Sequence, residues 1–275
     1  MASPSGGVQT RILVLPSRSK ALTATMSRRR MLTASLGMTV MAVVAACTGS
    51  RSGLVSSPSP GAGTTPSPTG NLVPTPECVV KPAETEGPYF VDERLNRSDI
   101  TTDPSGGPAR TGVPLTLVFN VARVNGTSCS SLGGAQVDVW HCDALGVYSD
   151  VSAENTVGKK YLRGYQVTDA EGAVRFQTIY PGWYSGRAVH IHFKIRTFSG
   201  SQKTYEFTSQ VFLDDSVTDE VYKQAPYNSR GSRNTRNATD MVYTSNGNSG
   251  SKLLVDLART TTGYQATFSL GLLLA

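Results

Sequence analysis

The chain contains three histidines, and two of them, His190 and His192, are separated by a single residue. Successive side chains of a β-strand point to opposite faces, so residues i and i+2 share a face. The segment 189–195 alternates apolar and polar side chains, which predicts a strand with both imidazoles on one face and a core-facing apolar row on the other. Two imidazoles at this spacing could bind a metal ion together. The alternative is a polar, solvent-facing strand edge with incidental histidines.

Two tyrosines stand in turn-like segments upstream of this strand. Tyr184 ends the segment Tyr180-Pro181-Gly182-Trp183-Tyr184, a turn able to swing its phenol back toward His190. Tyr148 follows an apolar run that ends at Trp140, and the intervening residues predict a strand followed by a turn. The third histidine, His141, lies in that segment, and we expect it to be structural.

These segments, in this order, resemble one enzyme family. They are Trp140-x-x-Asp143-x-x-Gly146-x-Tyr148, Pro181-Gly182-Trp183-Tyr184 and Arg187-x-x-His190-x-His192, together with the stretches 85–90 and 208–212. The chain is similar over roughly residues 78–245 to the intradiol ring-cleavage dioxygenases, which are non-haem Fe(III) enzymes that act on catechols.

The resemblance implies a ferric site with four protein ligands: Tyr148, Tyr184, His190 and His192. By the same match, Tyr184 and His190 are axial, and Tyr148 and His192 are equatorial. Fe(III) is a hard cation that suits anionic oxygen donors, and a phenol ionises readily when it binds such a cation. The two-histidine, one-carboxylate set of Fe(II) oxygenases fits these motifs less well.

Two further residues match family positions. Arg187 precedes the first histidine by three residues, and a fixed cation there would stabilise negative charge that develops on the substrate ring; the alternative is a surface arginine at a strand end. Gln210 matches a glutamine near the iron that orients a ligand or bound oxygen, and an edge-strand glutamine is its alternative. Tyr89 and Trp183 could line an aromatic pocket or belong to the core.

The implied activity inserts both atoms of O2 into a catecholic aromatic and opens its ring between the two hydroxyl-bearing carbons. The product is a muconate-type diacid. The main alternative is a tethered β-sandwich binding module for an aromatic or envelope ligand, without turnover. A copper- or zinc-binding protein that uses only the two histidines leaves the tyrosine motifs unexplained.

Short alternating runs dominate the rest of the chain and predict an all-β, antiparallel β-sandwich with long loops and little helix. Hairpin turns are expected at Asn125-Gly126 and Glu171-Gly172, and one short helix after Asp215 with Ser216 as its N-cap. The polar region 221–251 is either an excursion that covers one end of the sandwich or a mobile loop. The strands are expected at 115–121, 135–140, 173–178, 189–195, 205–213 and 265–270.

The net charge of +6 comes entirely from the first part of the chain. Residues 1–46 hold six Arg or Lys and no acid, so the remaining 20 basic residues equal the 20 acidic ones, which argues against nucleic-acid binding. Arg28 and Arg29 belong to a twin-arginine-like export signal, and the run that ends at Cys47 resembles a lipobox. The alternative is an ordinary signal peptide with an incidental cysteine. The start is either Met1 or Met26.

These features predict three regions and an exported, membrane-anchored location. Residues 1–46 are the signal, and 47–77 form a tether, since 22 of the 30 residues 48–77 are Pro, Gly, Ser or Thr. Residues 78–275 form the enzyme-like domain. One disulfide is expected among Cys78, Cys129 and Cys142, with the pair left open. A homo-oligomer also stays open, because catechol-type relatives dimerise through N-terminal helices that have no counterpart here.

Overall fold

The structure is a computed structural model that describes residues 79–274. The predicted signal, Cys47, the tether and Cys78 lie outside the described residues. Within them the chain is mostly strand, with short helical segments. The strands are β1 (Pro114–Asn125), β2 (Ser128–Ser131), β3 (Gln136–Trp140), β4 (Arg163–Val167), β5 (Ala173–Ile179), β6 (His190–Ser199), β7 (Gln202–Phe212), β8 (Asp256–Arg259) and β9 (Tyr264–Leu273). The α-helical segments are α1 (Asp215–Val221) and α2 (Ser245–Asn248), and the 3-10 helices are Ser152–Glu154, Tyr227–Arg230, Asn237–Thr239 and Ser249–Leu253.

The strands form two sheets. The first has the order β2-β1-β9-β8, with β5 pairing the first half of β1, and the second has the order β4-β3-β6-β7. The predicted β-sandwich is confirmed. Among the paired strands of residues 79–274, β1 and β9 alone run parallel, from Leu115 opposite Tyr264 to Val124 opposite Leu273.

Aromatic side chains join the two sheets at the centre of the core. Phe193 of the second sheet lies 5.0 Å from Phe119 and 5.6 Å from Phe268, both in the first sheet, measured between ring centroids. All three are buried, so the two sheets share one core. No helix within residues 79–274 is long and apolar enough to span a membrane.

Two local predictions need correction. The N-cap of α1 is Asp214, whose carboxylate accepts hydrogen bonds from the N–H groups of Ser216 and Val217. The turn at Glu171-Gly172 does not close a hairpin, because β4 belongs to the second sheet and β5 to the first. The turn after Asn125 does join two paired strands, since Asn125 pairs with Ser128.

The long region between α1 and β8 is an excursion that contacts the sandwich. Its Tyr227 is buried and donates a hydrogen bond to the carbonyl of Tyr180, and its Leu253 belongs to the core. Among the cysteines, Cys129 is disulfide-bonded. Cys142 is a buried free thiol, so a Cys129–Cys142 bridge is excluded.

Candidate metal centre

Both histidines lie on β6, an interior strand of the second sheet. Ile191, Phe193 and Ile195 fill the core side, as the alternation predicts. His190 and His192 occupy the opposite face and are nevertheless buried. The alternative of a solvent-facing strand edge is therefore wrong.

An N-terminal segment buries that face. We call residues 84–97 the strap; it crosses the outer side of the second sheet, from the Glu84 N–H, which donates to the Thr208 carbonyl on β7, to the Arg97 N–H, which donates to the Tyr165 carbonyl on β4. At Gly87 (φ 72°) a β-carbon would lie 3.1 Å from Cε1 of His192, so the strap backbone rests almost on the imidazole. Tyr89 packs on Tyr148 with a centroid distance of 4.6 Å and the rings tilted by 33°.

A carboxylate-centred turn places Tyr148. Oδ1 of Asp143 accepts hydrogen bonds from the N–H groups of Leu145 (2.9 Å) and Val147 (3.0 Å), and an ion pair with Arg110 holds its other oxygen. The Asp143 N–H donates to the Val147 carbonyl, which closes the turn. This is the physical basis of the Asp-x-x-Gly-x-Tyr spacing: the turn reverses the chain and directs Tyr148 inward.

The turn that carries Tyr184 packs against the first one. The Gly182 N–H donates to the Asp143 carbonyl at 3.0 Å. A β-carbon on Gly146 (φ 79°) would lie 2.1 Å from the carbonyl oxygen of Trp183, so only glycine permits this approach. Contact between the two turns fixes the two tyrosines relative to each other.

The four predicted ligands converge. Nε2 of His190 lies 3.1 Å from Nε2 of His192 and 3.1 Å from Oη of Tyr184. The Tyr148 ring centroid is 5.7 Å from that of Tyr184 and 6.4 Å from that of His192. The Tyr148 hydroxyl is buried without a hydrogen-bond partner among the described residues.

Burial keeps all four donors neutral in the metal-free protein. It raises the pKa of Tyr148 and of Tyr184, so both phenols are protonated at neutral pH. Burial, reinforced by the Arg187 cation, lowers the pKa of His190 to about 3, and burial also lowers the pKa of His192. The imidazoles therefore present lone pairs. Nδ1 of His190 lies 2.7 Å from the Ala188 carbonyl, so this nitrogen carries the proton and Nε2 is free to act as a ligand.

The two predicted catalytic residues lie beside this cluster. An NH1 atom of Arg187 is 3.5 Å from Nε2 of His190, and its NH2 group donates to Oε1 of Gln210 at 2.5 Å. Gln210 is fully buried and donates in turn to the Thr85 carbonyl in the strap. Arg187 is thus tied to the cluster and is not a free surface arginine. Gln210 does lie on β7, the edge strand of the second sheet, but it is buried beside the cluster.

Three further residues contact the ligand cluster or its supports and were not predicted from the sequence. Trp140 stacks on His192 with a centroid distance of 5.0 Å and an interplanar angle of 5°. Asp240 binds Arg187, and Arg163 is a buried arginine that ties the Tyr148 loop to the strap through Ser149 and the Tyr89 carbonyl. Trp140 alone carried a signal, since it opens the tyrosine motif.

The remaining aromatic residues near the motifs divide between site and core. Both ring nitrogens of His141 have partners, the Cys142 carbonyl and the Thr178 hydroxyl, which confirms its structural role. Tyr89 contacts both tyrosine ligand candidates. Trp183 is half-buried under the guanidinium of Arg230.

Comparison with known proteins identifies the family. A sequence model of the dioxygenase family, described as Dioxygenase, matches residues 85–238, more than half of the chain. The chain belongs to the intradiol ring-cleavage dioxygenase family. An intradiol ring-cleavage dioxygenase from Tetranychus urticae has a similar structure, with 30% identity and a TM-score of 0.60, over 71% of this chain and 94% of that one.

Two curated relatives share shorter regions with this dioxygenase-family chain. Catechol 1,2-dioxygenase 1 of Acinetobacter lwoffii is 26% identical over 46% of this chain and 45% of its own length. Chlorocatechol 1,2-dioxygenase of Pseudomonas putida is 28% identical over 47% of this chain and 55% of its own length. The chain thus spans about half the length of these relatives.

The donor set of the site fits the ferric ion that this family uses. The cluster offers two imidazole nitrogens and two phenol oxygens, and one of those oxygens, on Tyr148, is buried with no hydrogen-bond partner within residues 79–274. Ionised phenols are hard anionic donors that favour Fe(III) over softer or less charged ions. Within residues 79–274 no group of three His, Cys, Asp or Glu side chains could hold a metal, so the tyrosines are essential to the fit.

Proposed function

We propose that this dioxygenase-family chain cleaves a catecholic aromatic between its two hydroxyl-bearing carbons with O2, yielding a muconate-type diacid. The observation that carries the proposal is the convergence of Tyr148, Tyr184, His190 and His192 in one buried cluster. Held by these four side chains, Fe(III) would supply the Lewis acidity that activates the catechol toward O2.

The two tyrosines differ in burial, and we infer that they have different roles. Tyr148 is fully buried behind Tyr89, so it can act as a permanent ligand. Tyr184 is only partly buried, so of the two tyrosines it is the one that we expect an incoming catechol to reach, and its Oη can take up a substrate hydroxyl proton. Two ionised phenols also offset two of the three positive charges of the ion, which lowers the cost of burying it.

Arg187 supplies a fixed positive charge next to the cluster. Its guanidinium is anchored on two sides and lies beside His190, so it needs no reorganisation when negative charge builds up on the ring. We therefore assign it the electrostatic role and assign Gln210 the role of orienting it. Removing Arg187 should leave the ligands in place and slow ring cleavage.

The proposed partners are a small catechol and O2, and the proposed location is the outside of the cytoplasmic membrane. A lipid anchor at Cys47 would hold the enzyme there, with residues 47–77 as spacer. This part rests on the sequence pattern alone: the arginine pair, the short apolar run and the cysteine at its end.

One purification tests the proposed activity. The folded protein, supplied with iron, should bind about one Fe(III) per chain and absorb visible light through tyrosinate-to-iron charge transfer. Oxygen uptake with catechol should yield cis,cis-muconate, identified by mass and ultraviolet spectrum. Tyr148→Phe should lose the colour and the turnover, while Tyr180→Phe, which alters an equally buried tyrosine outside the cluster, should keep both.

A different result would favour the binding module. A folded protein that takes up no iron when iron is supplied, binds catechol and consumes no oxygen would exclude the dioxygenase assignment. A product opened beside the hydroxyl groups rather than between them would exclude the intradiol outcome.

A further inference from the structure

Asp240, far from the ligands in sequence, is a fully buried carboxylate with four hydrogen bonds. Its Oδ1 accepts from the N–H groups of Val242 (2.7 Å) and Tyr243 (2.9 Å). Its Oδ2 accepts from the Ala188 N–H (2.7 Å) and from Nε of Arg187 (2.8 Å). Burial alone would raise the pKa of Asp240, but these hydrogen bonds and the Arg187 charge lower it, so the carboxylate is ionised.

The position of this carboxylate determines where Arg187 points. A guanidinium is a rigid planar fork, so binding Nε on one side and NH2 on another fixes its plane. In Arg187, Nε donates to Asp240 and Nη2 donates to Gln210. The remaining nitrogen, Nη1, then lies 3.5 Å from Nε2 of His190. Without Asp240 the guanidinium keeps the Gln210 hydrogen bond and the longer approach to His190, and its flexible stem gains other rotamers.

We propose that Asp240 is a positioning residue of the active site: it orients Arg187 toward the point where negative charge develops on the substrate. The inference rests on the proposed ring cleavage. Gln210 and the Thr85 carbonyl continue the same chain of hydrogen bonds into the strap, so three other segments, the excursion, β7 and the strap, fix one cation.

A double-mutant cycle distinguishes this role from a merely structural one. Asp240→Asn has the same shape but no charge, and its single acceptor oxygen can serve only one of the two donor pairs. Its NH2 group then faces either Nε of Arg187 and the Ala188 N–H or the N–H groups of Val242 and Tyr243. We expect it to lower kcat for catechol by at least about tenfold, with iron content and colour retained. In an Arg187→Ala background, the same Asn substitution should change kcat by less than about twofold. An equal loss in both backgrounds would refute the positioning role.

Asp219→Asn is the matched control. Asp219 also pairs with arginines of the excursion, Arg233 and Arg236, but it contacts neither Arg187 nor the ligands. Its Asn variant should cleave catechol at the parent rate. A loss equal to that of Asp240→Asn would show that any weakening of the excursion has this effect, and would overturn the proposal.

A second measurement does not depend on turnover. In full-length ¹⁵N-labelled protein, with and without diamagnetic Ga(III), the Nε–H signal of Arg187 should exchange slowly with solvent, and Arg187→Ala should remove the signal. Asp240→Asn should shift it and speed its exchange. An Nε–H that exchanges in the parent chain as fast as that of exposed Arg175 would overturn the proposal, even if the variant does not fold.

The two measurements separate the two levels of inference. If the iron-loaded parent consumes no oxygen with any catechol but Asp240 protects the Arg187 signal, the proposed function is wrong and Asp240 still positions Arg187. If catechol is cleaved but neither the Arg187 signal nor kcat depends on Asp240, the positioning role is wrong and the proposed function stands.

Discussion

Among individual residues, Tyr148 has a buried hydroxyl with no hydrogen-bond partner in the described part of the chain. An unpaired buried polar group costs about 1–3 kcal/mol, which a metal ligand bond would recover. The metal-free Tyr148→Phe variant should therefore unfold at the parent temperature or above it. With Fe(III) supplied, the parent should unfold at a higher temperature than Tyr148→Phe, because the variant lacks one iron ligand.

Thermal unfolding with and without iron measures this reversal, and Tyr180→Phe is its control. The Tyr180 hydroxyl lies 2.7 Å from the Thr218 hydroxyl, so its removal should cost about 1 kcal/mol in both states. A metal-free Tyr148→Phe protein that is clearly less stable than the parent would show that the hydroxyl is already satisfied.

His141 gives a pH dependence that is separate from catalysis. Burial lowers the pKa of His141 from 6.5 to about 4, so the unfolded chain binds the extra proton more readily between these values. The contribution of His141 to stability is complete above pH 6.5 and is lost as the pH falls toward 4, by about 1.4 kcal/mol per unit. Urea unfolding of metal-free parent and His141→Gln should show their stability difference narrowing from pH 7 to 4.5. A constant difference would contradict the assignment.

The pair His190–His192 could be predicted as two ligand candidates from the two-residue repeat of a strand. Tyr148 and Tyr184 could be assigned as ligands only through the family resemblance, and the turn that Asp143 closes explains why Tyr148 has a fixed place in that motif. Asp240 and Arg163 could not be predicted in this way. Their partners lie 53 and 74 residues away, as Arg187 and the Tyr89 carbonyl respectively, and no spacing rule connects them.

At the level of strands and segments, alternation identified the strands but not their partners. The predicted run 265–270 is β9, yet its parallel pairing with β1 joins residues about 150 apart, for example Leu117 and Ala266. Alternation specifies which face of a strand is apolar and leaves direction and neighbour undetermined. For the same reason, it could not show that the strap covers the histidine face.

The closeness of the strap to His192 makes Gly87 a sensitive position. Gly87→Ala should lose roughly 1–2 kcal/mol for the left-handed backbone, and its β-carbon should also press the imidazole out of place. Gly200 has a positive φ of 60° with no atom near its missing β-carbon, so Gly200→Ala should bear only the backbone cost. Iron retained after dialysis against a chelator should fall for Gly87→Ala alone. Equal iron retention by the two variants would refute direct contact as the cause.

For the whole molecule, the sandwich holds a site whose parts come from segments far apart in the described chain. The strap contributes Thr85 and Tyr89, β6 and β7 contribute the histidines and Gln210, and the excursion contributes Asp240. The excursion's role as a cover of the sandwich end was one of two expectations from sequence. Because the site needs all these segments packed together, we expect it to hold iron only in the folded domain.

That dependence leads to a prediction about export, for residues outside the described part of the chain. A twin-arginine route carries folded proteins, so iron could be inserted in the cytoplasm before transport. Replacing Arg28 and Arg29 together by Lys should trap an iron-loaded, active precursor inside the cell, where oxygen uptake with catechol would detect it. Cys47→Ala should abolish incorporation of labelled lipid and leave the iron content unchanged, because a Pro/Ser/Thr/Gly-rich tether separates that cysteine from the domain. Normal export of the double-Lys protein, together with unlipidated Cys47 in the parent, would refute both parts of the location and leave the dioxygenase assignment intact, since the site is built entirely from residues of the folded domain.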